Sequence, residues 1–222
     1  MILSYLTHKK WTLPDSGVTV ITLQSPIAYR DLVQGFKGEN NLLLCSDGDF
    51  NSLEITKTFD FVGDPLLSEN ISKRYLTFVV NNYVKTIDEE NRNKVFKAYY
   101  NLETVLHDSL LLENLPIDID FNEDLKKLLK LLEIHFDRSI LTNPYAIIET
   151  VLKIHQNYDL GTIPVFCNVA HYFDEQEWQE VANLAMEVNS SVIFLEFTNP
   201  QNLKISKNIT CYYVDQDLVD WY

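Results

Sequence analysis

Ile163-Pro-Val-Phe-Cys-Asn168, Asp174-Glu-Gln-Glu177 and Ser191-Val-Ile-Phe-Leu-Glu196-Phe197 follow one another in this chain and decide its fold. The first is a continuous apolar run, the pattern of a strand covered on both faces. Asp174 and Glu177 have the spacing of a capping box, opening a helix that carries Trp178, Val181, Ala185 and Val188 on one side. The third stretch is the next buried strand. Strand, helix and strand with a crossover of that length make a βαβ unit, which builds a parallel sheet through a right-handed connection.

Working outward, Val18–Leu23 reads as another strand, and Ser25-Pro26 supplies an N-cap and a first-turn proline for a helix to about Phe36. Asn41–Cys45 is a short apolar run, Asp47-Gly48 a tight turn, and Ser52–Ile55 and Thr58–Val62 are further strands, stopped by Gly63-Asp64-Pro65. From Leu66 to Tyr158 there is no glycine and the spacing turns helical. Val95, Tyr99, Leu102, Leu106 and Leu110 line one helix, Leu125, Leu128, Leu129 and Leu132 a second, and Ile147, Val151, Ile154 and Tyr158 a third opened by Asn143-Pro144. The expected organisation is a discontinuous α/β domain, 1–64 plus 159–222, split by a helical insertion domain, 65–158.

Composition narrows the function. With 222 residues, 46% of them apolar, the chain can bury a sizeable core without metal or disulfide. Its 18 basic and 32 acidic residues leave a formal charge of -14, which opposes blanket attraction to nucleic acid or anionic lipid. No window approaches the roughly 20 apolar residues of a membrane-spanning helix. The start, MILSYLTHKKWTLPDSG, lacks the pattern of a secretion signal. Cys45, Cys167 and Cys211 are odd in number and flanked by apolar or aromatic residues, as expected of reduced packing residues on strands in a cytoplasmic protein.

Catalytic patterns are sparse. The turn after the first parallel-type strand is where GxxxxGK would cradle phosphates, but Leu23-Gln-Ser-Pro-Ile-Ala-Tyr29 holds neither glycine nor lysine. No GxxxxGK or GxGxxG occurs elsewhere, so neither nucleotide binding nor nucleotide hydrolysis is expected. Cys167 and His171 are four apart across a strand-to-loop path, and nothing marks Cys167 as a low-pKa thiolate. His107, His135 and His155 lack partners at metal-ligand spacing and read as core or surface histidines.

Two polar features stand out. Glu113-Asn-Leu-Pro-Ile-Asp118-Ile-Asp120-Phe-Asn-Glu123-Asp124 is a proline-broken loop running into a helix, with several hard oxygen ligands in one short stretch. That chemistry suits Ca²⁺ better than Mg²⁺, although the EF-hand spacing is missing; the competing reading is an acidic N-terminal cap for the helix. The second is the placement of the basic residues. Ten of the 18 lie between Lys73 and Arg138, whereas residues 139–222 hold Lys153, Lys204 and Lys207 against eleven acids. Lys94 and Lys97, and Lys126 and Lys130, share helix faces at spacings that can touch successive phosphates, although solvated helix faces show such pairs too.

The chain resembles the small CRISPR-associated accessory proteins of type II-A systems, which take part in acquiring new spacers. The shared texture is the apolar strand ending in Asn168, Tyr172 four residues later, the acidic amphipathic helix and the strand V-I-F-L-E. Gly63-Asp-Pro65 and the acidic loop before a leucine and lysine helix agree with it. The resemblance implies a parallel-sheet α/β fold related to P-loop NTPases without a Walker A site, bearing an inserted α-helical domain and assembled as a ring-shaped homotetramer. It implies a non-enzymatic protein that binds double-stranded DNA ends, requires Ca²⁺, and works beside the CRISPR integrase subunits and the RNA-guided effector nuclease. Glu113, Asp118, Asp120 and Glu123 match the family's calcium loop. Asn122 and Leu128 replace positions that are often acidic, which implies fewer or weaker ions. The DNA surface carries over as a region, assigned here to Lys94, Lys97, Lys126, Lys127 and Lys130. The alternatives are a metal-dependent nuclease using Asp118, Asp120 and Glu123, and an acidic protein adaptor with no DNA role.

Overall fold

Valine, isoleucine and threonine fill most of strand β3 (Gly17–Leu23), and all seven of its residues are buried. The structure, a computed structural model, describes residues 1–6, 8–68, 71–113, 115, 123–205 and 208–221, with Ser72 described by its backbone alone. β3 lies inside a six-stranded sheet between β8 (Ser191–Glu196) and β9 (Thr210–Val214), parallel to both. β7 (Ile163–Cys167) and β6 (Phe59–Gly63) continue the sheet in parallel, and β10 (Asp220–Trp221) closes the other edge antiparallel to β9. The expected mixed α/β fold with a parallel sheet is the fold found. A second, four-stranded antiparallel sheet joins β1 (Ile2–Tyr5), β2 (Trp11–Thr12), β4 (Leu43–Ser46) and β5 (Ser52–Leu53).

Helix α1 (Pro26–Phe36) starts where Ser25 Oγ accepts the Ala28 N–H. Leu3, Tyr5 and Trp11 from the small sheet, Leu32 and Phe36 from α1, and Ile21, Ile193 and Leu195 from the large sheet share one core cluster. Gly35 permits this contact, since a Cβ there would lie 2.8 Å from Leu43 Cβ. Thr58, expected in a strand, ends the one-turn helix α2 (Ile55–Thr58) instead, because its hydroxyl bonds back to the Glu54 carbonyl.

Helices α6 (Pro144–Asn157) and α7 (Glu175–Glu187) also belong with the large sheet. Asn143 caps α6, and Asp174 and Glu177 form the expected capping box on α7. Trp178 meets Phe194 edge-on at 5.2 Å, and Phe194 stacks on Phe166 at 5.8 Å. His155 ties α6 down: Nδ1 lies 3.0 Å from the Thr162 carbonyl and Nε2 3.0 Å from Asp60 Oδ2. A carbonyl only accepts, so Nδ1 carries a proton, and the Asp60 contact needs a second proton between Nε2 and the carboxylate.

The chain divides into two compact units, 1–72 with 136–222, and Lys73–His135. This insertion is narrower than the expected 65–158. Periodicity alone places the third helix in it, but the stripe Ile147, Val151, Ile154 is buried in the α/β unit. The helical unit contains most of α3 (Ile71–Thr86), then α4 (Glu89–Leu111) and α5 (Leu125–Leu131). Asp88 caps α4 by accepting the Asn91 N–H. Phe96 is the buried residue of α4, whereas Leu102 and Leu106 of the expected stripe are each about half exposed.

Among the described residues, two hydroxyls within the large sheet, Thr19 Oγ1 and Ser191 Oγ, are buried with no hydrogen-bond partner. An orphaned buried hydroxyl costs about 1–3 kcal/mol, so Thr19→Val should raise the unfolding free energy by ~1 kcal/mol or more. Urea denaturation measures this, and a loss of stability would show that the hydroxyl is satisfied.

Candidate nucleic-acid interface

Helix α4 sets Arg92, Asn93, Lys97, Tyr100 and Asn101 along one side, where with Phe96 and Glu123 they line a groove of about 340 Å³. Within it Tyr100 donates its hydroxyl to Glu123 Oε1 at 2.5 Å, which raises the Tyr100 pKa. Arg92 lies over the Phe96 ring at 5.6 Å. Lys94, one turn after Glu90, is held by that carboxylate at 2.6 Å. The two lysines expected to act as a pair therefore differ in surroundings: Lys94 is ion-paired to Glu90, and Lys97 faces a groove of amides and Arg92 whose carboxylate, Glu123, is hydrogen-bonded to Tyr100.

Helix α5 begins where Asp124 accepts the N–H groups of Lys126 and Lys127 at 3.0 and 3.2 Å. This carboxylate performs the capping role weighed above against metal binding. The three lysines of α5, Lys126, Lys127 and Lys130, are all exposed. Lys126 and Lys130 line a second groove of about 250 Å³ with Leu76, Thr77 and Asn81 of α3.

Charge is divided unequally. Lys73–His135 holds nine Lys and Arg against eleven Asp and Glu, while the α/β unit holds nine against twenty-one. A polyanion is thus opposed mainly by the α/β unit and meets near-balance on the helical one.

Of the four candidate metal ligands, Asp118 and Asp120 lie outside the described residues. Glu113 follows the end of α4, its N–H bonded to the Leu110 carbonyl, and Glu123 faces Tyr100. Among the described residues no group of three or more His, Cys, Asp or Glu is placed to hold a metal. Glu113 and Glu123 supply the hard oxygen donors that Ca²⁺ takes, so they fit the ion in kind.

The cysteines are all free thiols on β4, β7 and β9, as expected, and burial pushes each thiol up to about 11. No described helix is long and apolar enough to cross a membrane. What the sequence reading missed is a set of polar residues at the ends of β6, β7 and β8: buried Asp64 and Glu196 with half-buried Asn168 and Tyr172. Their signal was present in the stretches quoted above, but its convergence appears only once the strands are aligned.

These features define a class: an α/β protein with a parallel sheet, interrupted by a helical unit that presents exposed lysines. The family described as CRISPR-associated protein (Cas_Csn2) matches residues 35–218. The chain belongs to the Csn2 family of CRISPR-associated proteins, which gives it a CRISPR-associated role in spacer acquisition. The crystal structure of Stu0660 of Streptococcus thermophilus is similar in fold, with a TM-score of 0.52 and 13% identity, over 100% of this chain and 76% of that one. Among curated proteins, no sequence matches.

Proposed function

We propose that this chain is a non-enzymatic, sequence-independent binder of double-stranded DNA ends in spacer acquisition, acting as a ring-shaped homotetramer that depends on Ca²⁺. The observation that carries the reading is the concentration of exposed lysines on a helical unit of near-balanced charge, in a chain that is otherwise strongly acidic. Lys94, Lys97, Lys126, Lys127 and Lys130 are the proposed phosphate contacts. Four copies gather enough of them around one opening to outweigh the average repulsion, and closure of the ring is what makes DNA binding possible. Glu113, Asp118, Asp120 and Glu123 are the proposed Ca²⁺ ligands. Exposed apolar residues support self-association: Val105, Leu111, Leu112, Leu131 and Leu132 are all more than half exposed. The CRISPR integrase subunits and the RNA-guided effector nuclease are the proposed protein partners.

The test is a gel shift of linear and closed circular DNA, with Ca²⁺ and after chelation, alongside solution mass under the same conditions. The expected result is a Ca²⁺-dependent shift of linear DNA by a tetramer. A chain that stays monomeric and shifts neither form acts instead as an acidic adaptor. Specific cleavage of linear DNA with Mg²⁺ or Mn²⁺ would make it a nuclease.

A further inference from the structure

A cavity of about 440 Å³ opens on the α/β unit where β7 and β8 begin, at the opposite end of these strands from Asn168 and Glu196. Its size falls within the roughly 300–1,000 Å³ of small-molecule sites. Two helices stop against it in the same way. After α6 the Leu160 N–H bonds to the His155 carbonyl and the Asp159 N–H to that of Gln156. After α7 the Ser190 N–H bonds to the Ala185 carbonyl and the Asn189 N–H to that of Met186. Both are Schellman ends, each turning on a left-handed residue, Asp159 at φ 45° and Asn189 at φ 49°. Gln156, Asp159, Val188 and Asn189 line the cavity, so the negative ends of both helix dipoles meet there.

The side chains add to that field. Asp159 and, from the loop before β3, Asp15 contribute carboxylates, and among the described lining residues there is no lysine or arginine. The His155 ring in the wall is already matched by Asp60, and the Met1 amine acts on Cys45 and Asp47. Pro14, Ile163 and Val188 supply apolar wall between the polar groups.

Ser191, also in the wall, opens β8 on the same face of the sheet as Ile163, since each stands two residues before the paired Ile193 and Val165. It is 5% exposed, and among the described residues its hydroxyl has no hydrogen-bond partner. A buried hydroxyl left open in this way gains from a ligand's N–H donor.

We propose that this cavity binds a polyamine, an alkyl chain carrying two or more ammonium groups. The ammonium groups face Asp15, Asp159 and the two helix ends, one of them donates to Ser191 Oγ, and the methylenes lie on Pro14, Ile163 and Val188. A metal ion would leave that apolar wall bare, and among the described residues no group of three or more His, Cys, Asp or Glu is placed to hold one. Both carboxylates are exposed, so binding is modest in strength and sensitive to salt.

Isothermal titration with spermidine at about 50 mM salt, with amide NMR shifts to locate the ligand, tests the site. The expected result is a single spermidine per chain that moves the Gly161, Asn189 and Ser190 amides. Asp15→Asn and Asp159→Asn should each weaken it about three- to tenfold, and Ser191→Ala about threefold. Asparagine tolerates the left-handed turn at 159, so that variant keeps the fold. Glu175→Gln combined with Glu180→Gln removes the same charge from α7 outside the cavity as the two aspartate changes remove within it, and should leave binding unchanged. Shifts scattered over the acidic surface, an equal loss in the α7 control, displacement by equimolar Mg²⁺, or no binding at about 5 mM spermidine each overturn the site.

Discussion

Replacing His155 by alanine should lower the unfolding free energy by about 3 kcal/mol, the low end of the range for breaking a buried charged pair. The low end applies because the His155 side chain is 3% exposed but Asp60 keeps 15%. Alanine takes away both contacts of the ring, to Asp60 and to the Thr162 carbonyl, and leaves a space between α6 and the sheet. For a chain of this length that loss corresponds to a melting point lower by roughly 6–12 °C. Urea denaturation of His155→Ala, Asp60→Asn and the double variant separates the pair from the cavity. The coupling between the two sites should exceed about 1 kcal/mol. Losses that simply add would show that the ring acts by packing alone.

The other large effect concerns DNA. On the proposed reading, raising salt from about 50 to about 200 mM should weaken binding roughly 10³- to 10⁵-fold if six to ten phosphates are neutralised. Five lysines repeated over four copies can supply that number. Lys97→Glu and Lys126→Glu should each reduce both the affinity and the salt slope, since each change is repeated around the ring. Lys94→Glu should act less strongly, because Glu90 already holds that ammonium at 2.6 Å. Fluorescence anisotropy on a short duplex across a salt series measures all three. A slope near zero would remove phosphate contact as the source of affinity, and equal slopes for Lys94→Glu and Lys97→Glu would remove the distinction between the lysines.

The sequence was most legible where local chemistry and burial agree. Ile163–Cys167, the Asp174–Glu177 capping box and Ser191–Glu196 became a strand, a helix start and a strand, because each carries its own stop and start signals. Periodicity identified α6 but could not name the body that covers its stripe, and this placed the domain boundary too late. In α4 the same periodicity marked residues such as Leu102 and Leu106, which stay half exposed. The two-residue strand β2 is held in a sheet by pairing with β1, and no alternation can develop over so short a length. The lysines were visible as a cluster, but the ion pair that separates Lys94 from Lys97 depends on a rotamer. His155 and Asp60, 95 residues apart, gave no sign of meeting.

A hairpin of β9 and β10 closes one edge of the large sheet. β9 reads Thr-Cys-Tyr-Tyr-Val; its outer side is met by the two residues of β10, and its own Tyr212 hydroxyl bonds to the Thr12 backbone. Asp215 accepts the Asp217 and Val219 N–H groups and the Trp221 indole N–H, which folds the hairpin back over that side. Asp220, pinned to His8 and to the Lys9 N–H, anchors its far end. Without this short strap, a five-residue aromatic and β-branched strand would offer unpaired backbone groups to any similar strand nearby, the template from which intermolecular β-aggregation grows. The β9–β10 turn therefore shields a sheet edge from pairing with another strand as well as completing the sheet.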